Sequence, residues 1–320
     1  MPSRLTVVLV FLLLGTSAVI FWLWLVIVPA RVSETCPKEC HCDNGSFYIP
    51  CTAPYLTSLP LIRMTGIRKL GLFHCNITLL EKESFVSRGL TQLDGFFVFR
   101  LGLRTIEVGA FNGLTALIHL HLIGNKISEL IPGTFENLNS LEYLGLSDNN
   151  LQHLDSAMFS GLINLKRILL SVNKLQFIHP DTFLGSPNLR RLYLRSNPTL
   201  QIPTDHNFIN SLSLSHLDIS ECNISSLSVE TFSNVSVLEW LDLRDNNLRT
   251  VDINILKALP KLSTLFLYGN PLQCDCQLKE VWRWCEDRNI QTADRDIAPE
   301  CDTPSEVKGL WWGVLEKGQC

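Results

Sequence analysis

Eleven cysteines in 320 residues are the first groups in this sequence that could do chemistry. Eight gather near the two ends of the chain, as Cys36, Cys40, Cys42 and Cys51, then Cys274, Cys276, Cys301 and Cys320. Cys40-His-Cys42 and Cys274-Asp-Cys276 are C-x-C pairs, which either close disulfides in an oxidising compartment or hold zinc. His119 and His121 in His-Leu-His would share one face of a strand, but two imidazoles without a third ligand make a poor metal site. Asp218, Glu221, Asp242 and Asp245 form an acidic cluster that would attract calcium, except that Arg244 lies among them. No Ser/His/Asp or Cys/His arrangement, phosphate-cradling glycine loop or paired carboxylate appears in a recognisable context. Catalysis, a cofactor and a metal are therefore not expected.

What must position these groups is a repeat. Leu117, Leu141, Leu165 and Leu189 recur every 24 residues, and Leu214, Leu238 and Leu262 continue the series after a one-residue insertion. Each opens L-x-x-L-x-L-x-x-N-x-L, with looser copies from Ile67 and Leu93, so about nine units follow one another. L-x-L predicts a short strand with one buried face, and stacked repeats predict a parallel sheet. The recurrent Asn125, Asn149, Asn173, Asn197, Asn246 and Asn270 must find backbone partners inside the stack. Cys75 and Cys222 take that position in two repeats, and Leu101 in a third, where irregularity is expected around residues 96–104. A phenylalanine column (Phe85, Phe111, Phe135, Phe159, Phe183, Phe208, Phe232) predicts convex-side packing, with Leu256 as its exception.

The array resembles extracellular leucine-rich repeats, as in Slit-type, Toll-ectodomain and lamprey variable lymphocyte receptor proteins. Cys36-Pro-Lys-Glu-Cys40-His-Cys42 with Cys51 is similar to that superfamily's N-terminal cap, and Asn270-Pro-Leu-Gln-Cys274-Asp-Cys276 with Cys301 and Cys320 to its C-terminal cap. The resemblance implies an α/β leucine-rich repeat solenoid, a curved horseshoe with a parallel sheet on its concave face. It also implies the pairings Cys36–Cys42, Cys40–Cys51, Cys274–Cys301 and Cys276–Cys320. Cys285 stands where the family cap usually has Leu and is expected to be a buried thiol. The expected organisation is a cap at 31–59, repeats at 60–272 and a second cap at 273–320.

Ahead of the caps lies an apolar run at residues 5–28 behind Arg4. It is either a signal peptide cleaved before Arg31 or, being long enough to span a bilayer, an uncleaved anchor. Both place the remainder outside the cytoplasm, with membrane contact only through an uncleaved segment. The sequons at Asn44, Asn76, Asn223 and Asn234 fit that route as glycosylation sites. Hydrophobic residues at 46% exclude intrinsic disorder, and a net charge of −4 argues against a nucleic-acid partner.

Residues between the strand leucines face the concave side. Early repeats offer Phe73, Phe97, Phe99, His119, His121 and Tyr143; middle repeats Arg167, Arg191, Tyr193 and Arg195, with Lys166 and Arg190 beside them. Late repeats offer Trp240, Phe266 and Tyr268 around Asp218 and Asp242. Aromatic residues and Arg are the types enriched at binding hot spots. An extracellular protein ligand is the leading expectation, with an anionic glycan on the basic residues or a purely structural matrix role as alternatives.

Overall fold

The computed structural model describes residues 36–42, 47–62, 64, 66–295 and 297–317. The apolar run at 5–28, the sequon asparagine Asn44 and Cys320 lie outside them. No helix among the described residues is long and apolar enough to cross a membrane.

Ten parallel strands form one sheet in chain order. They are β1 (Tyr48–Thr52), β2 (Lys69–Phe73), β3 (Gly95–Phe99), β4 (His119–His121), β5 (Tyr143–Gly145), β6 (Arg167–Leu169), β7 (Arg191–Tyr193), β8 (His216–Asp218), β9 (Trp240–Asp242) and β10 (Thr264–Phe266). The N-terminal cap thus supplies a strand of its own, in register with the first repeat from Tyr48↔Lys69 to Thr52↔Phe73. Helix is scarce: α1 (Ile253–Lys257) lies in the repeat that has Leu256 in place of phenylalanine, and α2 (Cys276–Asp287) belongs to the C-terminal cap. The architecture is a parallel-sheet solenoid stapled near both ends.

The alternation of leucines works as expected, with Leu144, Leu146, Leu192 and Leu194 fully buried behind the sheet. On the convex side the phenylalanines stack into a spine. Successive ring centroids from Phe85 through Phe111, Phe135 and Phe159 lie 6.0 Å apart. Parallel strands sit only about 4.8 Å apart, so the convex layer needs more room per repeat than the sheet, and the stack bends toward the sheet.

The asparagine ladder fixes each turn to the one before it. Asn173 Nδ2 donates to Leu146 O and Leu170 O, both at 3.0 Å, while its Oδ1 accepts from Leu151 N at 3.1 Å. Asn149, Asn197, Asn246 and Asn270 repeat the pattern. The substitutes behave according to their chemistry. Cys222 Sγ donates to Leu194 O at 3.3 Å, so a thiol replaces the amide as donor. Leu101 donates nothing through its side chain, yet Asn125 Oδ1 of the following repeat accepts from both Leu101 N and Leu103 N. The expected irregularity shrinks accordingly: β3 is intact, and Gly102 alone adds a left-handed residue (φ 83°) after the ladder position. Asn223 (φ 58°) does the same after Cys222.

Cys36–Cys42 and Cys40–Cys51 close the first cap and Cys274–Cys301 the second. Cys276 is also disulfide-bonded. Cys75, Cys222 and Cys285 are free and buried. Burial pushes the Cys222 and Cys285 thiols up to about 12, so neither is a nucleophile in the folded protein.

Asn173→Ala strips four backbone groups of their partner and should cost about 3 kcal/mol or more. Asn173→Cys keeps a donor in place and should cost roughly half as much. Denaturant unfolding followed by circular dichroism checks both; equal losses would mean that volume, not hydrogen bonding, holds the ladder.

Candidate recognition face

Strand register arranges the concave side chains into columns. One runs His119, Tyr143, Arg167, Arg191, His216, Trp240 and Thr264. The next runs Phe97, His121, Gly145, Leu169, Tyr193, Asp218, Asp242 and Phe266.

The early repeats carry a continuous ring surface. His121 stacks on Tyr143 at 4.4 Å between centroids and meets Phe97 at 4.9 Å. Phe99 stacks on Phe73 at 5.9 Å, and Tyr48 of the cap strand contacts Phe97 edge-on at 6.3 Å. Glycines make room for rings lying this flat: a Cβ on Gly71 would stand 2.4 Å from the Tyr48 hydroxyl, and one on Gly95 2.7 Å from the Phe97 ring. Burial, with the charge of His119 beside it, lowers the His121 pKa to about 4, so the imidazole is neutral at physiological pH.

The middle repeats hold the cations, and the structure divides them. Lys166 pairs with Glu142 at 2.7 Å, and Arg195 pairs with Glu221, so neither adds uncompensated charge to the basic patch read from the sequence. Arg167, Arg190 and Arg191 have no carboxylate in ion-pair contact among the described residues. Arg167 and Arg191 are direct register partners, and the Arg167 guanidinium lies 6.0 Å from the Tyr143 ring. Tyr193 is half-buried beside them.

In the late repeats Arg244 neutralises the acidic cluster, as its place among the carboxylates in the sequence leads one to expect. Asp242 is fully buried, held by Arg244 Nε at 2.8 Å and by an ion pair to Arg244 Nη2 at 2.6 Å. Asp218 is buried too and accepts from the Ser220 hydroxyl at 2.6 Å. Burial raises the Asp242 pKa, partly offset by its bonds from Arg244. Arg244 also donates to the Tyr268 hydroxyl and lies over the Phe266 and Tyr268 rings, which are themselves buried. Asp242 and Tyr268 are thus buried under the Arg244 guanidinium, and Asp218 is buried against the Ser220 backbone N–H and hydroxyl. Trp240 stays half-exposed, stacked on His216 at 6.1 Å.

Sequence reading missed Tyr48, Ile123, Leu169 and His216, all partly accessible on this face. The Ile49-x-Cys51 alternation was the available signal for Tyr48, and column position was the signal for the others. Among the described residues no group of His, Cys, Asp or Glu could hold a metal ion. A cavity of about 150 Å³ between cap and repeats, lined by Thr57, Leu80, Ser84 and Arg88, lies away from the face. Asn76, Asn223 and Asn234 are all exposed, and none sits on the sheet.

Comparison with known proteins agrees with this geometry. The family described as "Leucine rich repeat" matches residues 101–151, 141–198 and 213–272. The chain belongs to the leucine-rich repeat proteins, in the form with cysteine-stapled caps. Among similar sequences, trophoblast glycoprotein of Macaca fascicularis is 28% identical over 266 residues, covering 82% of this chain. A phospholipase A2 inhibitor of Gloydius brevicaudus siniticus is 36% identical over 28% of it. The chain's matched region spans only 62% and 26% of those proteins. The crystal structure of human 5T4 (trophoblast glycoprotein) superposes with a TM-score of 0.63 at 23% identity, covering 90% of this chain and 98% of that one. A complex of Latrophilin 3, Unc5D and FLRT2 gives 0.59 at 22% identity, over 87% of this chain and 97% of the matched one. At such identities the superpositions speak for the fold.

Arg244→Ala would leave Asp242 buried without its counter-charge and should destabilise the protein by about 3–5 kcal/mol. Adding Asp242→Asn should recover part of that loss, and thermal melting of the two variants decides it. His121 yields a pH effect. Its folded pKa of about 4 lies below the ordinary 6.5, so the unfolded chain takes up the proton first. Stability should be complete above about pH 6.5 and fall as pH drops toward 4. His121→Phe should flatten that part of the melting-temperature profile; an unchanged profile would place the acid sensitivity elsewhere.

Proposed function

We propose that this protein is an extracellular recognition module that binds a protein ligand on the concave face of its solenoid, as a receptor, adhesion or immune-type protein. The observation that carries the reading is the face itself: half-exposed rings from Tyr48 to Tyr143, unpaired Arg167 and Arg191, then the His216–Trp240 stack, all on one rigid sheet. Rings and guanidinium groups give large contact area with little rotamer entropy to lose, as hot spots require. Nothing in the fold needs them there, because the core is complete behind the sheet.

Three further observations support it. The bonded cap cysteines fit an oxidising compartment. The exposed Asn76, Asn223 and Asn234 would carry glycans at an edge or on the convex side, leaving the sheet uncovered. Similar proteins include one named a phospholipase A2 inhibitor, and FLRT2 appears in a complex with Latrophilin 3 and Unc5D, so two of the chain's likenesses are described by a protein they act on or assemble with. Binding, not catalysis, is the activity the face fits.

A glycan wedge tests the face without assuming what it binds. Arg191→Asn with Tyr193→Thr places a sequon in the middle of the sheet, and Asp155→Asn with Ala157→Ser places one at an exposed position off it. The full chain, displayed to a panel of extracellular proteins, should lose its partner with the first sugar and keep it with the second. Retained binding with the sheet glycosylated would move the site to the convex side or the caps.

A further inference from the structure

The arginines without an acidic partner are grouped on adjacent strands of the concave face, and the grouping describes what binds there. From Tyr48 to Tyr143 the surface is mostly rings, with His121 held neutral and the exposed Lys69, between Tyr48 and Gly95, standing four strands away from Arg167. Beyond β8 the ionic groups neutralise one another, Arg195 with Glu221 and Arg244 with the buried Asp242. Between these zones, Arg167 and Arg191 stand one strand apart with Arg190 at the edge, and all three lack a carboxylate partner among the described residues. Burial and the neighbouring Arg191 both lower the His216 pKa, so this end of the column adds no cation at neutral pH. Beside the arginines the floor is low and apolar, formed by Gly145, Leu169 and the half-exposed Ile123. Two guanidinium groups carried on adjacent strands, whose backbones lie about 4.8 Å apart, repel each other and add nothing to folding unless an anion bridges them.

We infer that the partner presents a short acidic protein segment, a pair of neighbouring carboxylates flanked by aromatic or aliphatic side chains. The carboxylates bridge Arg167 and Arg191 by charge-assisted hydrogen bonds, and the flanking apolar groups settle on Leu169 and Ile123 on one side or on Trp240 on the other. A sulfated glycan fits the same residues less well. Its affinity grows with the number of cations it meets along its length, and here the cationic stretch covers two strands before rings or acidic pairs interrupt it. This inference rests on the concave-face reading and specifies its chemistry.

The test selects displayed random dodecapeptides on the full chain and on an Arg167→Glu/Arg191→Glu variant, with heparin as a separate probe. The wild type should enrich Asp and Glu next to Tyr, Trp, Phe or Leu. The selected peptide should bind the variant at least about tenfold more weakly, and Arg195→Ala should change it less than about threefold. Replacing the peptide's acids by Asn and Gln should cost as much as the charge reversal. Arg167→Gln/Arg191→Gln, checked by its melting curve, separates lost binding from lost folding. Absence of acidic enrichment, or the same peptides selected by both proteins, overturns the inference, as does heparin binding that depends on Arg167 and Arg191 and displaces the peptide. A wedge that blocks the natural partner while the charge reversal does not would remove only this inference; an ineffective wedge would remove the concave-face reading itself.

Discussion

The concave face depends on a buried side-chain amide that recurs in most turns of the solenoid. Each ladder asparagine satisfies carbonyls in its own repeat and the one before it, and its oxygen takes an N–H from the previous turn. These are polar groups that water cannot reach, so they must be paired within the stack or carry the full cost of desolvation. The pairing sets the axial rise between repeats. It thereby fixes strand register, and strand register decides which side chains become neighbours on the open face. Arg167 meets Arg191 because Asn173 and Asn197 hold their turns in step.

The ladder also explains how the chain tolerates irregular repeats. Its oxygen belongs functionally to the preceding turn, so a turn with a poor residue at the position is still held by a good residue in the next. Leu101 relies on Asn125, and Cys222 on Asn246, in this way. Tolerance has a limit. The limit is approached once, where Cys75 is followed directly in the ladder by Leu101: the Cys75 thiol still donates to Phe73 O at 3.3 Å, but Leu101 has no side-chain acceptor to offer the turn before it.

The repeat was legible because its signals are local and periodic: leucine alternation, a recurring amide and a recurring phenylalanine. The sequence pattern also placed the concave columns correctly as far as register goes. It did not reveal which members of a column remain open to solvent, because that depends on neighbours in other repeats. Arg244 covers Asp242, Phe266 and Tyr268 through contacts between adjacent turns, and Glu221 removes Arg195 from the basic patch across one repeat. The cap strand was hidden for a different reason. Tyr48–Thr52 lacks the leucine signature and joins the sheet through backbone pairing and the alternation of Ile49 with Cys51.

The columns also act as a measuring scale. Adjacent strands lie about 4.8 Å apart, whereas alternate side chains of an extended peptide repeat every 6.6 Å or so. A peptide laid across the strands therefore meets the face as a vernier, with the two periods coinciding once in about four strands and drifting out of phase between. Tyr143 and Trp240 are four strands apart in one column, with Arg167, Arg191 and His216 between them. Both ends of that interval can engage side chains of one extended segment, while the paired cations in its middle face the stretch where the segment's side chains fall between strands. A segment slipped by one residue would lose both coincidences together, so the spacing of the solenoid would discriminate between registers of an extended peptide laid across it.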